Sequence, residues 1–480
     1  MMSPRSLAST CRLAVLLAAI AVAAASPAPA AAVQHARAVA APVAASAPQS
    51  NSRCITDQDA DPKAAPTFKT VSPDAAGNSS AGNAPRMTLL AMVRTAVRRS
   101  NAVGAAKLLS EAAAIDIDGA HAAYYPQVNI TGQVGGTVAG AVDAASEKGG
   151  SYQAGANVTA PIYDGGRTRD MIDYRSHLAE AARFGEISTR EQVALQTVSL
   201  ALDRSRYAVE AQVYDEYAHK MGCMVEALEQ IVAMDHGRTS ELVQVRKSLE
   251  QAQFARDQLL SQKRILEIRL KRFVGDELPP SDGVSAVMLD TPSLPDLLAL
   301  ASRAPEIQSL DSQAAAQDAY VQSLLDGQKP QLGVLLSASK SLGVSNSRST
   351  AGALTLSWQL FNAANGYASE AARKRAAAAK LSRDDALEAR KYRMSEVYEQ
   401  ATRSMERARS AIDILHNSAL LSNFTLQQWQ QLGRRSLFDV MAAEGDHYNM
   451  RVQYVDALYD TQQANALLWS LGLGLAGHLE

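Results

Sequence analysis

Residues 87–475 carry one pattern twice at a spacing near 200 residues, and any fold must accommodate both copies. Tyr125-Pro126-Gln127-Val128 recurs as Lys329-Pro330-Gln331-Leu332. Pro161-Ile162-Tyr163-Asp164-Gly165-Gly166 is answered by Gln359-Leu360-Phe361-Asn362-Ala363-Ala364. Gly237-Arg238-Thr239-Ser240 matches Gly433-Arg434-Arg435-Ser436, and Arg272-Phe273-Val274-Gly275 matches Trp469-Ser470-Leu471-Gly472. Four matches in one order point to duplication. The copies are 87–276 and 293–475, joined by a link over 277–292 that contains Pro279, Pro280 and Gly283, with a short tail at 476–480.

Each copy holds two stretches of period-two alternation. In the first copy, Val128, Ile130, Val134 and Val138 oppose Gln127, Asn129, Thr131, Gln133 and Thr137. Ala154, Ala156, Val158, Ala160 and Ile162 oppose Gln153, Asn157 and Thr159. In the second, Leu332, Val334, Leu336, Ala338 and Leu342 oppose Gln331, Ser337, Ser339 and Ser341, and Leu354, Leu356, Trp358 and Leu360 oppose Thr355, Ser357 and Gln359. Each run has the roughly 9–11 residues or more that a tilted strand needs to cross a bilayer, apolar outside and polar inside. Three of the four carry no charge; the exception, Lys340, lies near the 343–346 turn, where it can snorkel to a rim. A small soluble sandwich would need more than four strands. Four strands also cannot close a barrel, because the smallest membrane barrels have about eight and an open edge in lipid strands backbone groups. The barrel must therefore be shared among chains.

The remainder reads as unusually long helix. Between Gly166 and His236 there is no proline, and Leu195, Val198, Leu202, Val209, Val213, Tyr217, Met224, Leu228 and Ile231 recur at helical steps. About seventy residues at 1.5 Å rise make a rod of roughly 100 Å. The span 366–432 is comparable. After Ser436 the positions Val440, Ala443, His447, Met450, Tyr454, Ala457, Thr461, Ala464, Leu468 and Leu471 step by threes and fours, a coiled-coil seam with small residues. Two further helices are expected over about 88–124 and 293–327, running into Pro126 and Pro330, where strands begin. Asp164 and Asn362 are natural N-caps, and Gly165-Gly166 lets the chain swing from strand to helix. No phosphate-loop pattern completes that Gly-Gly.

Residues 1–30 read as a secretory signal: Arg5 and Arg12, an apolar run Leu13 to Ala25, then Ala28 and Ala30 with small-residue spacing. Cys54 follows Asn51-Ser52-Arg53 rather than a lipobox, so no lipid anchor is indicated. Residues 31–86 have almost no large apolar side chains and read as disordered. After export only Cys54 and Cys223 remain; two unpaired thiols are the favoured expectation, with one bridge left open. A net charge of -2 disfavours nucleic-acid binding. The eight histidines show no metal-ligand spacing and no G-x-S-x-G is present, so no catalytic, cofactor or metal site is read.

The duplicated units, Pro-Gln-Val at strand entry, Pro-Ile-Tyr-Asp-Gly-Gly at strand exit and Gly433-Arg434-Arg435-Ser436-Leu437-Phe438-Asp439-Val440 together resemble the TolC-like outer-membrane efflux and secretion family over 87–475. The resemblance implies a mainly α fold with a membrane β part. Long antiparallel coiled-coil helices would form an α-barrel tunnel, and four strands per chain would join a twelve-stranded barrel in a homotrimer. It implies an outer-membrane exit duct with a periplasmic tunnel, working with a periplasmic adaptor and an inner-membrane ABC or RND transporter. The turns Gly237, Arg238, Thr239, Ser240 and Gly433, Arg434, Arg435, Ser436 would be adaptor-docking tips. Asp439 would stand at the entrance as one carboxylate of an acidic ring, or else be an ordinary helix-terminal acid; Ala442 lacks the second acid some members carry. The absent lipobox and the Gly433–Val440 run point to type I protein secretion. The alternative is the outer component of a multidrug pump, and a periplasmic coiled-coil scaffold is the reading from another class.

Overall fold

The structure is a computed structural model and describes residues 83–139, 147–281, 287–343, 346–432, 435–472 and 474–479, all within the unit Arg53–Glu480. The expected signal, most of the expected disordered segment, Gly433 and Arg434 lie outside the described residues. Helices α1 (Asn83–Arg99) and α2 (Asn101–His121) lead into strands β1 (Gln127–Ala139) and β2 (Glu147–Tyr163). Then come α3 (Arg167–Met234) and α4 (Thr239–Val274). The second copy runs α5 (Leu294–Leu300), α6 (Pro305–Asp326), β3 (Gln331–Gly343), β4 (Ser347–Ser357), α7 (Ala363–Leu432) and α8 (Leu437–Leu471), with α9 (Leu475–Leu479) last.

Both long rods are present, at 68 residues for α3 and 70 for α7. The two shorter expected helices are each broken. Ser100, extended at φ -69 and ψ 116, caps α2 by accepting from the Val103 N–H at 3.4 Å. Arg98 and Arg99 close α1 where the helix dipole favours cations. In the second copy Pro305 opens α6, since its ring would break a continuous helix at that point. The tail expected at 476–480 is helical, with Leu475 and Leu479 buried in the main core.

The four strands form one antiparallel sheet in the order β1-β2-β3-β4. Register keeps like against like: Val128 faces Val158, which faces Leu336, while Asn129 faces Asn157, which faces Ser337. Ser339 and Ser349 share a hydroxyl hydrogen bond of 2.8 Å on the polar face. The apolar face is uncovered, with Ile130 84% exposed and Leu354 72%. Three expectations are corrected here. The uncharged β2 segment starts five residues earlier than its expected start at 152 and gains Glu147 and Lys148, β4 gains Arg348, and β4 ends at Ser357, leaving Trp358 and Leu360 outside the ladder. A bulge after Pro161 sets Tyr163 opposite Leu332, turning that ring to the apolar face.

Helix neighbours change along the rods. Near the strands the lateral order is α2-α3-α6-α7, and farther away it is α4-α3-α8-α7. Only α3 and α7 run through both levels. The largest core lies between, where Leu89, Val198, Leu202, Tyr454 and Tyr459 meet Met288 and Leu289 of the link. Polar residues of α8 pin that link: Asn465 donates to the Met288 carbonyl at 2.9 Å and Gln462 accepts from the Val287 N–H at 3.1 Å. The edge helices stay apolar outward, with Leu108, Leu109 and Ile115 on α2, Phe254 and Ile268 on α4, and Leu381, Tyr392 and Leu421 on α7 exposed. Among the described residues no helix is long and apolar enough to cross a membrane.

Candidate tunnel-entrance site and strand–helix hinges

The first hinge is built from backbone that tolerates no side chain. Gly165 and Gly166 sit at φ 72 and φ 101, and a Cβ on Gly165 would lie 2.7 Å from the Lys329 Cβ. Lys329 ties the first hinge to the end of α6, donating to the Gly165 carbonyl at 3.1 Å and pairing with Asp326 at 2.7 Å. Gly166, not Asp164, occupies the N-cap position of α3. Asp164 still serves the helix start, accepting from the Gly166 N–H at 3.0 Å and the Thr168 N–H at 2.7 Å. Burial pushes its carboxyl up, but the Thr168 and Gly166 hydrogen bonds outweigh it and hold the group below its ordinary range. At the second hinge Asn362 caps α7 directly, accepting from the Ala364 N–H at 3.0 Å, with no left-handed glycine. Pro126 and Pro330 each precede the first residue of a strand, where a missing N–H is harmless.

The turns at the far ends of the rods are brought to one place. Met224, Leu228 of α3, Leu242 and Val245 of α4, and Leu437, Val440 and Met441 of α8 form a single core cluster. Asp235 closes the first turn by accepting from the Gly237 N–H at 2.9 Å, and Thr239 donates to the His236 carbonyl at 2.8 Å. At the second, Ser436 is the N-cap of α8 in a reciprocal capping box with Asp439. Leu437 and Val440 face inward, which leaves Phe438 and Asp439 on the exposed side. Arg435 stands 3.8 Å from the Asp439 carboxylate.

Above the turns lies a ladder of charged and polar groups, of which sequence reading singled out only His447, as a position of the α8 seam. Glu444 is fully buried, pairs with Lys220 at 2.6 Å and accepts from the Ser422 hydroxyl. Arg451 pairs with Glu216 at 2.6 Å and lies over the Tyr448 ring at 5.0 Å. His447 Nδ1 is 2.9 Å from the Ser418 hydroxyl. Burial, then Arg451 and Lys220, holds that imidazole down to about 4, so it is neutral. Farther along, Arg206 meets Glu210 at 2.7 Å, Asp456 at 2.6 Å and Asp460 at 3.4 Å. One guanidinium cannot neutralise three carboxylates; burial, then Asp456, pushes Glu210 up to about 8 despite its ion pair. The sequence signal for this ladder was the run of charged and amide residues on α8, an otherwise small and apolar helix, spaced so that they alternate with the seam.

Cys223 on α3 is disulfide-bonded, which overturns the expectation of two free thiols. Its partner lies outside the described residues. Among the described residues no group of His, Cys, Asp and Glu has the arrangement of a metal site.

This order of helices and strands, with a bare apolar sheet face and rods of roughly 100 Å, is shared with solved structures of outer-membrane proteins. The resemblance read from the motifs is borne out: residues 92–275 match the outer membrane efflux protein family. Similar solved structures include CusC, studied for its folding and transmembrane channel formation, at 15% identity and TM-score 0.72 over 80% of this chain and 92% of that one. The outer membrane protein VceC of Vibrio cholerae aligns at 13% identity and TM-score 0.70, covering 81% of this chain and 97% of its own. The CmeC outer membrane channel of Campylobacter jejuni aligns at 13% and 0.69, covering 81% and 85%. The matched family and these neighbours are channel proteins, not enzymes. No curated protein matches the sequence significantly.

Proposed function

We propose that this chain is the outer-membrane exit duct of a tripartite export machine, assembled as a homotrimer with a twelve-stranded barrel and a periplasmic tunnel. The observation that carries the reading is the open four-stranded sheet. Strands β1 and β4 each leave one edge unpaired beside a bare apolar face, and in lipid only closure against further strands satisfies those edges. The exposed apolar residues of α2, α4 and α7 lie on the lateral edges of the helical layer, where neighbouring copies would bury them. The clustered turns at 235–240 and 435–439 are the surface offered to a periplasmic adaptor, with an inner-membrane ABC or RND transporter beneath. Asp439, on the exposed side of α8, would supply one carboxylate per copy to an entrance ring.

Type I secretion is the reading favoured by the Gly433–Val440 run and the absence of a lipobox. The matched family's name, outer membrane efflux protein, favours the second reading, the outer component of a drug pump. Carbonate extraction tests the class: the duct stays with outer membranes as a detergent-resistant trimer. Release into the soluble fraction as a monomer would support a periplasmic scaffold instead. Cross-linking in cells followed by mass spectrometry then separates the two ducts by whether an ABC or a proton-driven transporter is captured.

A further inference from the structure

Lys340 and Arg348 are cross-strand partners, and Ala154 of β2 flanks Lys340 on the other side. Partners in an antiparallel ladder share a face, and like charges placed opposite each other destabilise a sheet. The shared face is the apolar one, since Leu336, Leu354 and Leu356 lie on it in the same alternation. Both cations are exposed, and neither β1, β3 nor β4 contains an acidic residue. Glu147, the one acid in β2, is in register with Ala139 of β1, beyond the β2–β3 ladder, which begins at Ser151. The ladder therefore places two positive charges together with no acidic residue in register with them.

The height of the pair says what meets it. Tyr163 beside Leu332 and Tyr152 beside Leu342 mark two aromatic rows on this face, both rings being exposed. Ten ladder positions at about 3.3 Å separate the rows, roughly 33 Å along the strand, or about 25 Å of height at a usual barrel tilt. That matches the apolar band between the aromatic girdles of a membrane barrel. The helices enter at the Tyr163 end, so Tyr152 marks the outer rim. Lys340 and Arg348 lie one row of side chains inside Tyr152 and reach the headgroup level by extending along the strand.

Resting on the duct reading above, we propose that Lys340 and Arg348 form a binding site for the phosphate groups of an anionic glycolipid in the outer leaflet, one site per copy. A phosphate between them supplies the missing counter-charge through charge-assisted hydrogen bonds, with the fork of Arg348 suited to two oxygens. The acyl chains would lie on the apolar face below, against Leu336 and Leu354.

The test uses full-length mature protein reconstituted in vesicles containing diphosphoryl lipid A, or lipid A stripped of phosphate, and the variant Lys340→Gln/Arg348→Gln. Flotation reports insertion separately from lipid retention, which native mass spectrometry of the trimer reads. The expected result is lipid A on the wild type, retained roughly tenfold more weakly by the double variant, since a charged hydrogen bond is worth about one such factor. Phosphate-free lipid A should be retained weakly by both, and inorganic phosphate should not compete, because it lacks the chains. Equal retention by wild type and variant, or of both lipids, overturns the site while leaving the duct reading intact. Failure of the wild type to float would overturn the duct reading itself, and the proposal with it.

Discussion

Ser436 and Asp439 hold each other at the start of α8. The Ser436 hydroxyl accepts from the Asp439 N–H at 3.2 Å, and the Asp439 carboxylate accepts from the Ser436 N–H at 3.3 Å. Asp439 thus has a structural task besides any effect on passing ions, and the two can be separated. Asp439→Asn keeps an acceptor for the Ser436 N–H while removing the charge. Trimers should form normally, and single channels in planar bilayers should show modestly reduced cation selectivity. Ser436→Ala should instead loosen the first turn of α8 by about 1 kcal/mol, seen as faster amide exchange there, with selectivity unchanged. Unaltered selectivity in Asp439→Asn would leave the residue with its capping task alone.

The Arg206 cluster should make stability fall as pH rises. Glu210 has its carboxyl pushed from 4.5 up to about 8 by burial and then by Asp456. The folded chain therefore holds a proton that the unfolded chain has released between those values, and that advantage is lost as pH climbs through about 8. Thermal unfolding of the trimer across pH 6 to about 9 should show this decline, and Glu210→Gln should flatten it. An equally steep decline in the variant would assign the slope to another group.

His447 acts in the opposite direction. Its imidazole is held down to about 4 from 6.5, first by burial and then by Arg451 and Lys220. The unfolded chain binds the proton first, so this contribution is present above pH 6.5 and lost as pH falls through about 4. His447→Gln should retain more of its neutral-pH melting temperature at pH 4–5 than the wild type does.

Substitution at the first hinge should cost more than at the second. Gly165→Ala forces a Cβ into the Lys329 side chain at a positive φ, for a loss of at least about 1–2 kcal/mol. Ala363, its counterpart in the repeat, already carries a Cβ in ordinary helix. Lower heat stability of the Gly165→Ala trimer, with Ala363→Gly changing it by no more than about 1 kcal/mol, is the expected pattern.

Cys223 should react with a maleimide reagent only after reduction and denaturation, since it is disulfide-bonded. Labelling of the oxidised, denatured protein at Cys223 would contradict the bridge.

What the sequence made legible follows from period. Strand alternation placed Val128, Ile130, Leu336 and Leu354 on one face, and the 3–4 spacing placed Val198, Leu202, Val440 and Leu468 in cores, because each repeat pattern survives without tertiary context. The break at Ser100 was less visible, since a capping serine within apolar periodicity looks like any helical serine. The bulge at Tyr163 depends on register with β3, a partner far along the chain. The bridge at Cys223 and the Arg206, Glu210 and Asp456 cluster depend on which faces of distant segments meet, and no local pattern encodes that. Recognition of the tip turns was local, but the cluster uniting Leu242 with Leu437 and Val440 was not.

The two turns that share that cluster are alike in sequence but not in chemistry. One is closed by Asp235 and Thr239, the other by Arg435, Ser436 and Asp439. Three copies around an axis would therefore present six contact points that alternate between two kinds. A sixfold ring of identical subunits docking there would have to seat each neighbouring pair in two unlike ways, whereas a threefold ring could choose one kind and ignore the other.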